Sequence, residues 1–241
     1  MYMSTNGDYD DTIIDTADLS MMQLSDSFFP TGMYSMSNGL EAIFYSGMRM
    51  KAQELRELIK TLLEYQIGPA DCTALGNAYE YAAKSNLTKL LEVDRTISSM
   101  KLVQEIRDAS IRSGTQLVRC IRSFSEDKIL DQYQDAIRAG QAFGPYPVAL
   151  AVAANALLIP KRKTALMMLY SFSVSMVGAA LRLGMLQHFD GQKVIDELKP
   201  AIVNVIRTNI NRPIGGIWQF APSIDIMQMS HERMNSKMFI T

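Results

Sequence analysis

Apolar residues recur at intervals of three and four along most of the chain, the period of a helix that buries one face. The clearest stretch is Leu55, Leu58, Ile59, Leu62, Leu63 and Ile67, with Lys51, Glu54, Arg56, Glu57, Lys60 and Glu64 at the other positions of the same segment. An earlier stripe, Met21, Leu24 and Phe28, predicts a helix from Asp15 that ends at Phe29-Pro30-Thr31-Gly32. Asn38 and Glu41 have the spacing of an N-cap and an N3 carboxylate, so a helix is expected to reopen near Gly39. Gly68-Pro69 is expected to break the second amphipathic segment, with a further helix over 70–84 and another from Leu87. Val103, Ile106, Ser110, Gly114, Leu117, Val118 and Ile121 then share one face, and the small Ser110 and Gly114 predict a close neighbour at its middle.

After a short helix over 131–139, Gly140 to Pro147 is a loop by its glycines and prolines. Val148 to Ile159 and Ala165 to Leu181 carry no charge, and they read as two buried central helices rather than membrane spans. The first is too short to cross a bilayer and the second is at the lower limit and diluted by three serines. Ser175, Gly178 and Ala179 would form a small-residue contact patch there. Val194, Ile195, Leu198, Ile202, Val205 and Ile206 continue the helical period, and Pro200 is expected to kink that helix or begin another. Residues 209–222 are loop-like, and a helix is possible over 225–235, although its apolar side chains point in several directions. Such a tail suits a partner surface better than its own domain. No hairpin pattern or internal repeat interrupts the series, so the expected fold is all-α: one bundle of about ten helices over 13–222, with a flexible N-terminus over 1–12 and a docking tail over 223–241.

Composition narrows the chemistry. The 241 residues include 24 Lys+Arg and 25 Asp+Glu, for a formal net charge of -1, which gives no electrostatic reason to bind nucleic acid. Two cysteines, Cys72 and Cys120, cannot frame a disulfide scaffold, and the acidic opening carries no secretion signal, so a reduced, cytoplasmic protein is expected. The two histidines, His188 and His231, leave little for a metal centre or general-base catalysis. No phosphate-binding loop and no Cys-x-x-Cys occurs. The 17 methionines suit irregular packing or adaptable contact surfaces. What catalytic material exists, His188 and Asp190 with Arg182, defines the alternative of a helical enzyme acting on a small substrate.

Five blocks in order carry a resemblance. Leu24-Ser-Asp-Ser-Phe-Phe-Pro-Thr-Gly32 with Ser35, Ser37 and Gly39-Leu40-Glu41 resembles the opening signature of the UreF family of urease accessory proteins. Arg107-Asp-Ala-Ser110 with Gly114, and then Tyr146-Pro-Val148, are similar to the family's next two blocks. Tyr170-Ser171, Ala180-Leu-Arg-Leu-Gly184 and Asp190-Gly-Gln192 resemble its long helix and turn. Asp225-Ile226, Met229, His231-Glu232, Ser236, Met238 and Phe239 resemble its C-terminal segment. The resemblance implies an all-helical cytoplasmic homodimer that is not an enzyme and binds no cofactor or metal itself. Nickel and GTP would be handled by partner proteins: the chain would bridge the UreD/UreH scaffold and the GTPase UreG, and regulate GTP-dependent nickel delivery to apo-urease. By the same resemblance Tyr34, Ser35, Glu41 and Arg182 would face UreG, while His231, Glu232, Ser236, Lys237 and Phe239 would dock on UreD/UreH. Met33, Met36, Pro145, Asn235 and Lys237 depart from the family pattern; Lys237 stands where Arg is frequent and lacks the planar fork of a guanidinium.

Overall fold

The computed structural model describes residues 15–26, 28–31 and 36–241. The N-terminal segment 1–12, Tyr34, Ser35 and Met33 lie outside the described residues. The fold is all-α, with no strand among the described residues. In chain order the helices are α1 (Thr16–Ser25), α2 (Leu40–Tyr45), α3 (Ala52–Leu62), α4 (Thr73–Ala83), α5 (Leu87–Met100), α6 (Gln104–Arg122), α7 (Lys128–Arg138), α8 (Tyr146–Ala156), α9 (Lys161–Arg182), α10 (His188–Asn209) and α11 (Pro222–Glu232). The short α1 is capped by the Asp15 carboxylate. It buries Leu24, but Phe28 lies beyond it and is exposed, and Phe29 enters the core instead.

The apolar α8 and α9 are the centre of the bundle, as their composition requires. Val148 to Ala154 are wholly buried, and α8 packs mainly on α4 and α6, α9 on α10. Among the described residues α9 is the one helix long and apolar enough to cross a membrane, yet 67% of that stretch is buried inside the protein. Gly178, expected at a close contact, has no described atom near its Cβ position. The close approach on α6 is the expected one. A side chain at Gly114 would meet the Gly144 carbonyl, and Ser110 Oγ accepts a hydrogen bond from the Tyr146 amide at 3.1 Å. That loop is also held by the buried Asp94, which accepts from Tyr133 Oη at 2.6 Å and from the Phe143 and Gly144 amides at 2.8 and 2.9 Å.

The expected break at Gly68-Pro69 does not occur. Leu63–Cys72 is a π-helical segment that joins α3 to α4 in one continuous rod, with Pro69 inside it. In a π-helical ladder an amide donates to the carbonyl five residues before it, so Pro69, which has no N–H, leaves the Glu64 carbonyl without that bond. The 217–221 strap adds bonds of its own to this stretch, the Phe220 amide donating to Tyr65 O at 2.8 Å and the Trp218 amide to Pro69 O at 3.4 Å. Their donors lie about 150 residues away in sequence, so local propensity does not encode them. The widened helix runs against α10, where a side chain at Gly76 would lie 2.0 Å from the Ile210 carbonyl oxygen. Pro200 does not end α10 either. It is exposed, so the carbonyl it leaves unpaired can be hydrated.

A buried ion pair ties this rod to the start of α6. Lys101 Nζ and Asp71 Oδ1 are 2.8 Å apart, both side chains largely excluded from solvent. Beside Asp71, Cys72 is buried, and burial with the Asp71 charge pushes its thiol up to about 12. A thiol so raised stays protonated and unreactive at pH values near 8. Maleimide should therefore label the partly exposed Cys120 first and reach Cys72 only on denaturation, as mass spectrometry of the labelled peptides would show. Replacing Gly76 with alanine forces backbone against backbone and should cost about 3 kcal/mol or more, a fall in Tm of about 6–12 °C. Gly178→Ala, which meets no described atom, should instead leave Tm unchanged or raise stability by up to about 1 kcal/mol.

Candidate functional site

The C-terminal segment does not stand away from the bundle, as its scattered apolar residues suggest it should. It folds back over α2 and α6, with His231, Phe239 and Thr241 buried. The receptor for it is one carboxylate. Glu41, the second residue of α2, is fully buried. Its Oε1 accepts the Met238 amide at 2.7 Å, and its Oε2 accepts the Phe239 amide at 3.1 Å and His231 Nε2 at 2.8 Å.

This use of Glu41 replaces the expected capping box. Asn38 has φ of 51° and does not cap α2, which begins after Gly39 at φ of 89°. Ser37 does the local work, its Oγ accepting from the Glu41 amide at 3.3 Å. The same hydroxyl donates to the Thr241 carbonyl oxygen, which also accepts the Ser37 amide at 2.8 Å. Glycine at 39 is required by φ and by space: a Cβ there would lie 2.9 Å from Gln228 Cγ on α11. The backbone turn before α2 and the end of the tail are thus built around one another.

A second carboxylate completes the enclosure. Glu105, in the first turn of α6, places Oε2 at 2.6 Å from His231 Nδ1 and Oε1 at 2.9 Å from Lys237 Nζ. Lys237 also reaches the Glu232 carbonyl at 3.3 Å. Two separate donations from a flexible ammonium replace the bidentate contact an arginine would give. Glu232 is exposed, and its carboxylate accepts the Glu105 amide at 2.8 Å, satisfying an N–H in the first turn of α6 that α6 itself leaves open. Arg182, at the end of α9, lays its guanidinium 4.4 Å from the centre of the Phe239 ring and donates Nε to the Gly178 carbonyl at 3.2 Å. Ser236 is exposed. Beneath the tail lies a small cavity of about 60 Å³ bordered by Asp71, Lys101, Ser110, Tyr146 and Thr241.

The residues of the two expected surfaces therefore meet. Glu41 and Arg182, assigned by resemblance to one face, hold His231 and Phe239, assigned to the other. Glu41 offers no carboxylate at the surface, because its oxygens are spent on the tail. Tyr34 and Ser35 lie outside the described residues. Glu105 was not singled out by sequence reasoning; its position in the first turn of a helix invites a simple dipole role, and nothing local indicates that a tail 126 residues later uses both its oxygens. The alternative constellation is not assembled: His188 is exposed at the first residue of α10 while Arg182 is engaged with Phe239. No group of three His, Cys, Asp or Glu side chains suited to a metal ion occurs among the described residues; the two carboxylates at His231 occupy opposite ring nitrogens.

Comparison with known proteins gives one consistent result. The model of the family UreF matches residues 50–199, more than half of the chain. A urease accessory protein UreF of Trichodesmium erythraeum is 29% identical over 221 residues, covering 92% of this chain and 95% of the relative. Those of Actinobacillus pleuropneumoniae serotype 5b and Bacillus sp. TB-90 are 24% and 27% identical, each covering 92% of this chain and 98% of the relative. All are named accessory proteins, in agreement with the expectation of a protein that is not an enzyme.

Removing the Glu41 carboxylate leaves His231 Nε2 and two tail amides without an acceptor, a loss of about 3–5 kcal/mol by analogy with other broken buried pairs. Glu41→Ala should therefore release the tail, with tryptic cleavage after Arg233 and Lys237 at least about tenfold faster and far-UV circular dichroism nearly unchanged. Unchanged cleavage rates would mean that Glu41 does not hold the tail.

Proposed function

Because the chain belongs to the UreF family of urease accessory proteins, we propose that it acts in urease maturation as a non-catalytic adaptor between the UreD/UreH scaffold and the GTPase UreG. In this reading it couples GTP hydrolysis by UreG to delivery of nickel into apo-urease. It holds neither nickel nor GTP itself, and works in the cytoplasm as a homodimer.

The observation that carries the reading is the two-sided tail. His231, Phe239 and Thr241 fasten it inward, while Ile226 and Met238, each 60% exposed, and Met229 and Ile240 face outward. Apolar side chains held on a fixed backbone lose little further freedom on binding, so they favour recognition by a partner. Arg182 over Phe239 connects this rail to the end of α9, the helix assigned by resemblance to the UreG side. Leu166, Tyr170 and Val174 form an exposed apolar stripe at four-residue spacing on the same helix, which favours pairing with a second copy.

Co-purification tests this directly. The intact chain should capture UreD/UreH, and UreG in its presence; capture of neither, singly or as a pair, would overturn the proposal. Ile226→Gln with Met238→Gln alters only exposed side chains. It should weaken scaffold binding at least about tenfold, equivalent to about 1.4 kcal/mol, with Tm unchanged.

A further inference from the structure

We propose that His231 is a proton-operated latch for the tail: its doubly protonated ring pins α11 and the segment after it to α2 and α6, and loss of one proton frees them. The argument is one of donors and acceptors. Nε2 faces Glu41 Oε2 at 2.8 Å and Nδ1 faces Glu105 Oε2 at 2.6 Å. An ionised carboxylate only accepts, and a neutral imidazole has a single N–H. A neutral ring would therefore set a nitrogen lone pair against a carboxylate oxygen at one of the two contacts, in a place with no solvent. The imidazolium donates to both.

Charge counts the same way. The groups facing the ring are Glu41 from α2, Glu105 from α6, and Lys237 and Glu232 from the tail itself, with Arg182 of α9 one layer further out over Phe239. With the ring charged, His231 and Lys237 balance Glu41 and Glu105. With the ring neutral, a buried carboxylate is left uncompensated.

Docking favours the protonated ring, so it is strengthened at lower pH and weakened as pH rises and the proton leaves. The ring spans two helices and sits seven residues before the Met238 amide that also binds Glu41. Its release therefore removes one of three donors on Glu41 and one of two cationic partners of Glu105 at once.

Two measurements on the full chain decide this. Ring ¹⁵N shifts at about pH 6 should show both His231 nitrogens protonated, a readout that needs no variant. Tryptic cleavage after Arg233 and Lys237, normalised to a free peptide of the same sequence, should accelerate about tenfold between about pH 6 and about pH 8.5. His231→Gln, whose two N–H donors share one nitrogen and cannot reach carboxylates on opposite sides of the ring site, should be cleaved rapidly at both pH values. One unprotonated ring nitrogen at the lower pH, equal protection of the wild type at both, or the wild-type pH increment persisting in His231→Gln would each overturn the latch.

Discussion

A carboxylate with no access to water must be given donors by the protein, and the arrangement of the turn before α2 and of the C-terminal segment follows from meeting that demand at Glu41. Three donors converge on it, two of them backbone amides from the far end of the sequence. The unusual turn at Asn38-Gly39 is the local consequence, since Gln228 packs where a side chain at position 39 would be. The enclosure of His231 is the distant one, because an imidazole is excluded from solvent where hydrogen-bond partners meet its nitrogens, and here both partners are carboxylates. A group that is costly to bury alone thus becomes the point through which a C-terminal segment is joined to a helical body.

The body supplies the rigidity this requires. Its centre is α8, buried on nearly all sides, with α9, buried except on the face of Leu166, Tyr170 and Val174, and around them the continuous rod from α3 to α4 is clamped to α10. Across Pro69 the strap at 217–221 lies on the rod, its Phe220 and Trp218 amides donating to the Tyr65 and Pro69 carbonyls. The same strap leads directly into α11. Support of the π-helical segment and delivery of the tail to Glu41 therefore depend on one stretch of chain, and the Lys101–Asp71 pair sets the beginning of α6, where Glu105 waits, against the rod.

Much of this was legible from spacing. The stripes from Leu55 to Ile67 and from Val103 to Ile121 supply most of their helices' buried residues, although Leu58, Ile67, Ile106 and Ser110 are only half-buried and Gln66, Ala109 and Ser113 are buried outside them, and the two uncharged segments are central as their composition demands. Gly114 marks a real close approach, whereas Gly178 does not, because a glycine in a helix records an absence of side chain and not the presence of a neighbour. Pro69 misled for a related reason. Local sequence marks the proline but not the π-helical path the chain takes through it, nor the strap about 150 residues away that hydrogen-bonds its neighbours. Asp94 and Glu105 carry no local signature, since their partners are backbone or side-chain groups from other helices.

The all-helical class, the positions of most helices, the central pair and the family can be read along the chain, because they depend on short-range periodicity and on ordered blocks of residue types. What the polar residues of those blocks do emerges from the packed fold. Glu41 has the spacing of a helix cap and becomes the receptor of the tail; Arg182 ends a helix and becomes the cover of Phe239; His231 sits on a helix with no clean apolar face and becomes its most enclosed residue. Hydrophobic period is written along the chain, whereas the partner of a buried charge is chosen by whichever donors the folded chain brings within about 3 Å of it.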